Sequence, residues 1–186
     1  MKLYIGNMVS NRCKMIVKSE LEKHGYHFII VELGEVEIME SLSADQLESL
    51  NAELYKSGLF ILDDKKKILI ERIKNTIVEM VYYSDKLIKT NFSDYLSEKL
   101  SYDYTYLANI FSEVQGTTIE RYLINLRIER VKELLIYGEM NLTEISYKLH
   151  YSSVAHLSSQ FKKITGLTPS YYKRLKHKKR NPIERM

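Results

Sequence analysis

What this chain of 186 residues lacks sets its first limits. It has a single cysteine, Cys13, which excludes an internal disulfide framework and leads one to expect a reducing, cytoplasmic setting. No apolar run approaches the roughly 20 residues of a membrane span, so no membrane partner is expected. The opening MKLYIGNMVS has one Lys and no long apolar core, which argues against a secretory signal. There is no tryptophan, and the fifteen tyrosines carry no functional message by themselves. A phosphate loop, a nucleophile elbow and a paired-histidine metal motif are all missing. No acid–base constellation can be nominated, so neither catalysis nor a cofactor is expected. Low-complexity tracts are absent too, and 45% hydrophobic residues point to an ordered, globular protein.

The charge present is unevenly spread. Residues 1–90 carry 13 Lys/Arg against 14 Asp/Glu, whereas residues 91–186 carry 15 against 10. Lys173, Arg174, Lys176, Lys178, Lys179 and Arg180 crowd into eight positions. Basic charge gathered in one half suggests a polyanionic partner there, against the plainer reading of a solvated tail.

Hydrophobic periodicity divides the first half into short elements. Residues 2–6 alternate as a strand. Residues 13–24 read as a helix, with Gly25 where a C-cap would fall. Residues 28–33 form a strongly apolar strand, Gly34-Glu35 a hairpin turn, and 36–39 the return strand. Ser43, with Gln46 as its capping-box partner, opens a helix that runs through Leu47, Leu50 and Leu54 to Gly58. Residues 59–62 make a fourth strand. The order β-α-β-β-α-β predicts an α+β, ferredoxin-like domain over 1–63, an arrangement that hosts many unrelated functions. Ile68, Ile70, Ile73, Ile77, Met80, Val81 and Leu87 then continue at helical spacing without Gly or Pro, predicting a connecting helix over 64–90 that packs against its neighbours or pairs two subunits.

Within the first domain, Met8-x-Ser10-x-x-Cys13 resembles the metal-binding loop of heavy-metal-associated domains, which place Met-x-Cys-x-x-Cys between the first strand and helix. That resemblance implies a soft ion such as Cu(I) or Zn(II) held by two thiolates. Here a hydroxyl replaces the first thiolate, so only Cys13 matches a ligand position and the domain reads as degenerate. His24 and His27, on either side of a turn, are a weak additional pair. A metal-binding or metal-responsive protein built on the Cys13 loop is the alternative function. With no metal, this domain would sense a small effector or join subunits into a homodimer.

The second half is all-α in pattern. Helices are expected over 92–100, over 103–115 with Ser101 as cap, from Thr118 to near Gly138, over 142–150, over 154–165, and from Thr168-Pro169 onward. A motif is duplicated within it. Leu107-Ala108-Asn109-Ile110-Phe111 followed by Gly116 is repeated as Leu157-Ser158-Ser159-Gln160-Phe161 followed by Gly166, fifty residues on. Two helix-turn-helix units in tandem point to double-stranded DNA, read in two major-groove segments.

From Phe92 to Lys176 the chain resembles the DNA-binding domain of the AraC/XylS family of bacterial transcription regulators. The matching residues include Tyr106-Leu107 with Phe111 and Gly116, Tyr122-Leu123, Arg127-Ile128-Glu129, Leu134-Leu135 and Ile145. They continue through Tyr151-Ser152-Ser153, Phe161-Lys162-Lys163-Ile164-Thr165-Gly166 and Thr168-Pro169-Ser170-Tyr171-Tyr172. The resemblance implies a DNA-binding domain over 91–178, followed by a basic tail over 179–186. By the family pattern, Thr105, Ala108 and Asn109 face the first groove, with Tyr106 beside them; Asn109 is the strongest base reader, since Asn pairs bidentately with adenine. Ala155, His156 and Ser159 face the second. That stripe carries no Arg or Gln, so this unit is expected chiefly to grip phosphate through Ser153, Lys162, Lys163 and its helix N-terminus. His150 departs from the family's usual Gly, in a turn where His tolerates positive φ.

Overall fold

The computed structural model describes residues 1–83 and 91–180, the last five of them by backbone alone. The chain divides into two compact units, Met1–Val78 with Phe92–Val114, and Glu79–Asn91 with Gln115–Met186.

The first unit opens with β1 (Lys2–Gly6), α1 (Asn11–Lys23), β2 (Phe28–Glu32), β3 (Glu35–Ile38), α2 (Ala44–Tyr55) and β4 (Phe60–Leu62). The strands form one sheet in the order β2-β3-β1-β4, and each neighbouring pair is antiparallel. Alternation puts Leu3, Ile5, Val36, Ile38 and Leu62 into the core with Val17 and Leu21 of α1 and Leu50 and Leu54 of α2. Ser43 and Gln46 make the expected reciprocal cap of α2.

Several boundaries move by a residue or two. The hairpin turn is Leu33-Gly34, not Gly34-Glu35, because Glu35 already pairs with Glu32. Gly34 has φ +79°, and a methyl group there would overlap the Asn75 amide. Asn75 lies on α3 (Lys65–Val78) and donates from Nδ2 to the carbonyl of Leu33 at 3.1 Å. The apolar strand 28–33 is not wholly buried. β2 is an edge strand with a register shift between Phe28 and Ile30, which leaves Ile29 and Ile30 exposed.

The expected connecting helix is regular only through Val78 and continues as a π-helical turn over Glu79–Tyr83. Its expected continuation through Leu87 lies outside the described residues. The first unit ends with α4 (Phe92–Leu100) and α5 (Tyr104–Gln115). α3 packs on α4, and Lys66 pairs with Glu113 of α5 at 2.9 Å.

The second unit is helical: α6 (Ile119–Tyr137), α7 (Leu142–Lys148), α8 (Val154–Thr165) and α9 (Pro169–Arg180). Helix α6 is the spine, touching α7, α8, α9 and the π turn. Ile128, Val131, Ile145, Leu157 and Phe161 are buried along it, and Phe161 meets the edge of Tyr172 at 5.5 Å. Helix α7 stops at Lys148, two residues earlier than expected, because His150 turns to φ +57°. No helix among the described residues is long and apolar enough to cross a membrane.

Candidate nucleic-acid interface

The duplicated motif folds as two similar pairs, α4–α5 and α7–α8. In each second helix the same two positions turn inward, Leu107 and Phe111 of α5 and Leu157 and Phe161 of α8, and α5 buries Ile110 as well. Each helix stops on a left-handed glycine, Gly116 at φ +65° and Gly166 at φ +75°. Burial of one stripe exposes the other. On α5, Thr105, Tyr106 and Asn109 are exposed and Ala108 is half-buried. On α8, Ala155, His156, Ser159, Lys162 and Lys163 are all exposed. Every nominated residue is therefore accessible within its own helix.

The two N-termini differ in charge. α5 is capped by Asp103, not by the expected Ser101: Asp103 Oδ1 accepts the N–H of Thr105 at 2.8 Å and of Tyr106 at 3.3 Å. Ser101 instead turns to φ +60° and closes α4, its N–H bound to the Ser97 carbonyl. Both residues are good caps, and only the chain's path decides between them. α8 is capped by a neutral group, with the Ser153 hydroxyl accepting the His156 N–H at 3.0 Å. Ser153 keeps its O–H proton to donate, and the positive end of this helix carries no anion.

Around these helices the aromatics arrange themselves differently. Tyr102 and Tyr106 stack at 5.6 Å, and both are about half exposed. Tyr104 is the more buried tyrosine, meeting Phe92 edge-on at 6.4 Å. In the second unit, Ser152 Oγ lies 3.0 Å from Nδ1 of His156, and that ring meets Tyr151 edge-on at 5.4 Å. This pin was not expected from the sequence, although a Ser four residues ahead of a helix-end His is its visible signal. Behind it, Arg127 of α6 faces the Tyr151 ring at 5.9 Å.

The Cys13 loop makes no comparable site. Ser10 caps α1 by accepting the N–H of Cys13 and lies 3.3 Å from its sulfur. Burial pushes the Cys13 thiol up, but hydrogen bonds from Ser10 and from the backbone of Val9, Ser10 and Cys13 outweigh it and hold the thiol below its ordinary value. His24 Nδ1 is engaged with the Glu20 carbonyl, and His27 Nδ1 with Glu40. Among the described residues no group of three or more His, Cys, Asp or Glu side chains is arranged to hold a metal ion.

Comparison with known proteins bears on the second half. Residues 96–175 match the family model of a helix-turn-helix domain. The chain is similar to the uncharacterized HTH-type transcriptional regulator YtdP of Bacillus subtilis, 26% identical over 106 residues, or 57% of this chain and 14% of that protein. It is likewise similar to the Msm operon regulatory protein of Streptococcus mutans, 24% identical over 127 residues, or 66% of this chain and 46% of that one. This chain thus spans less than half the length of either relative. In fold it resembles the C-terminal domain of AraT, a response regulator from Geobacillus stearothermophilus. The TM-score is 0.52 at 24% identity, over 60% of this chain and 88% of that domain. Over residues 96–175 the chain is thus similar to a helix-turn-helix domain, in sequence to transcription regulators and in fold to the C-terminal domain of a response regulator.

Proposed function

We propose that this chain is a sequence-specific regulator of the AraC/XylS type that reads two major-groove segments, one with α5 and one with α8. The observation that carries the reading is the duplicated pair. Two helices with the same buried stripe, the same glycine stop and outward-facing polar residues are what groove reading requires. Thr105, Tyr106, Ala108 and Asn109 serve the first groove, with Asn109 as its adenine reader. Ala155, His156 and Ser159 face the second.

The second unit is also the stronger phosphate clamp. Ser153 donates from its free proton beside a helix N-terminus whose partial positive charge no capping anion offsets. Lys162 and Lys163 sit in the last turn of α8, about 15 Å along the axis at 1.5 Å per residue. That span is close to the width of the major groove, about 12 Å, so the two ends of α8 meet phosphates on opposite walls. The domain for this work is 91–178, followed by the basic tail 179–186.

Residues 1–63 form, on this reading, a ferredoxin-like domain, supported by its strand order and its antiparallel pairing. It serves to sense an effector or to contact a second subunit, with 64–90 as the connection. The test is selection of binding sites from random duplex DNA at about 0.15 M salt, where counterion-driven binding is weak. Two informative boxes about 10 base pairs apart support tandem reading. One box alone reduces the other unit to a clamp, and failure to recover any motif overturns the proposal for the isolated chain.

A further inference from the structure

The turn between α7 and α8 holds a histidine that groove reading does not use. His150 adopts φ +57°, and its Nε2 is shut off from solvent without a hydrogen-bond partner among the described residues. It lines a small, tight cavity with Met80 and Val81 of the π turn, Arg127 of α6, and Lys148 and Leu149 at the end of α7. The cavity does not admit a water molecule. The hydroxyl of neighbouring Tyr151 is likewise buried without a partner among the described residues.

Among the described residues, the charged groups lining the cavity beside this imidazole are of one sign. α6 presents Arg127 and α7 presents Lys148, while the π turn presents only apolar side chains. On α6, Glu133 is bound by Arg130 at 2.8 Å and by the Tyr82 hydroxyl at 3.2 Å, and Glu129 by Lys132 at 2.6 Å. Among the described residues, no carboxylate lines the cavity.

We propose that His150 makes the second helix-turn-helix unit pH-sensitive: the neutral imidazole holds the α7–α8 turn closed, and its protonation in mildly acidic solution opens the turn and weakens DNA binding. A proton on Nε2 would sit in a dry cavity beside Arg127, with no acceptor and no counter-charge among the described residues, which is a costly place for a cation. The ring escapes only by leaving the cavity. It would then disturb Tyr151, against which His156 packs, and Ser153, which caps α8.

Burial first, and Arg127 second, hold the His150 imidazole below its ordinary value of 6.5. The sign follows. The unfolded chain takes up its proton near 6.5 while the folded chain resists it. The stabilisation from neutral His150 is complete above that value and is lost as pH falls through it towards the folded one.

The DNA arm of this proposal rests on the function proposed above; the stability arm does not. The experiment compares the full chain with His150→Asn and His150→Gly, both suited to positive φ and neither able to titrate. Unfolding midpoints, and affinity for the selected DNA site, are measured at about pH 7.5 and about pH 5.5. The expected result is a larger fall in midpoint and in affinity for the unaltered chain than for either variant. Equal falls in all three proteins overturn the proposal. If no DNA is bound even at the higher pH, the functional reading fails while the midpoints still decide the role of His150. An NMR titration of the unaltered chain is independent of both variants. A His150 ring that titrates below 6.5 supports the inference, and one that titrates at or above 6.5 overturns it.

Discussion

Ser152 Oγ stands 3.0 Å from Nδ1 of His156, which lies against the edge of Tyr151. With Nδ1 engaged, only Nε2 of this exposed ring is left for a base edge or a phosphate. A side chain held in one rotamer before binding loses less entropy on binding. Ser152→Ala removes the pin and leaves the recognition stripe intact. The expected effect is a loss of about 2- to 10-fold in affinity for the selected site, the equivalent of one net hydrogen bond. Fluorescence anisotropy on that site and on one with a scrambled second box measures it. Equal losses on both sites would show that the pin serves general stability and not recognition.

Asp103 gives α5 an acidic N-terminus, where α8 has a neutral serine. Asp103→Asn keeps an acceptor for the Thr105 and Tyr106 N–H groups and removes the negative charge. On approach to a phosphate wall this charge is repulsive. The variant is therefore expected to bind duplex DNA severalfold more tightly at low ionic strength, with the gain shrinking as salt rises. Affinity unchanged at both salt concentrations would place Asp103 away from the backbone of the DNA.

These two contacts mark the limits of the sequence. Helical periodicity and capping residues are local, so α2, α4, α6 and α8 were legible almost to the residue, as was the exposed stripe of α5 and of α8. The choice between Ser101 and Asp103 was not, because either side chain can cap a helix and the chain's path selects one. The π turn at Glu79–Tyr83 was hidden because its apolar pattern continues that of α3. Contacts distant in sequence were the least visible. Nothing around Asn75 signals that its amide reaches Leu33, and nothing around Arg127 signals that it faces Tyr151.

The Asn75 contact makes its own prediction. Gly34 occupies the left-handed region and lies directly under the Asn75 amide. Gly34→Ala meets two penalties: about 1–2 kcal/mol for a Cβ in that conformation, and loss of the buried Asn75–Leu33 hydrogen bond, about 1–3 kcal/mol. Asn75→Ala meets only the second. Urea unfolding of the two variants should rank Gly34→Ala as the less stable. The reverse order would mean that the hairpin relaxes freely and that Asn75 matters through packing alone.

Lys162 and Lys163 test whether α8 clamps the backbone, because phosphate contacts have a signature that base contacts lack. Each phosphate neutralised releases condensed counterions, so log K falls with log salt by about 0.9 per contact on duplex DNA. Both lysines are exposed in the last turn of α8. Lys162→Ala with Lys163→Ala should reduce that slope by about 1.8 if both lysines touch phosphate, and weaken selected and random DNA alike. Ser159→Ala on the same helix should leave the slope unchanged. If the double variant keeps the full slope but loses discrimination between sites, the lysines read bases. The phosphate grip of the second unit would then fall to Ser153 and the helix N-terminus alone.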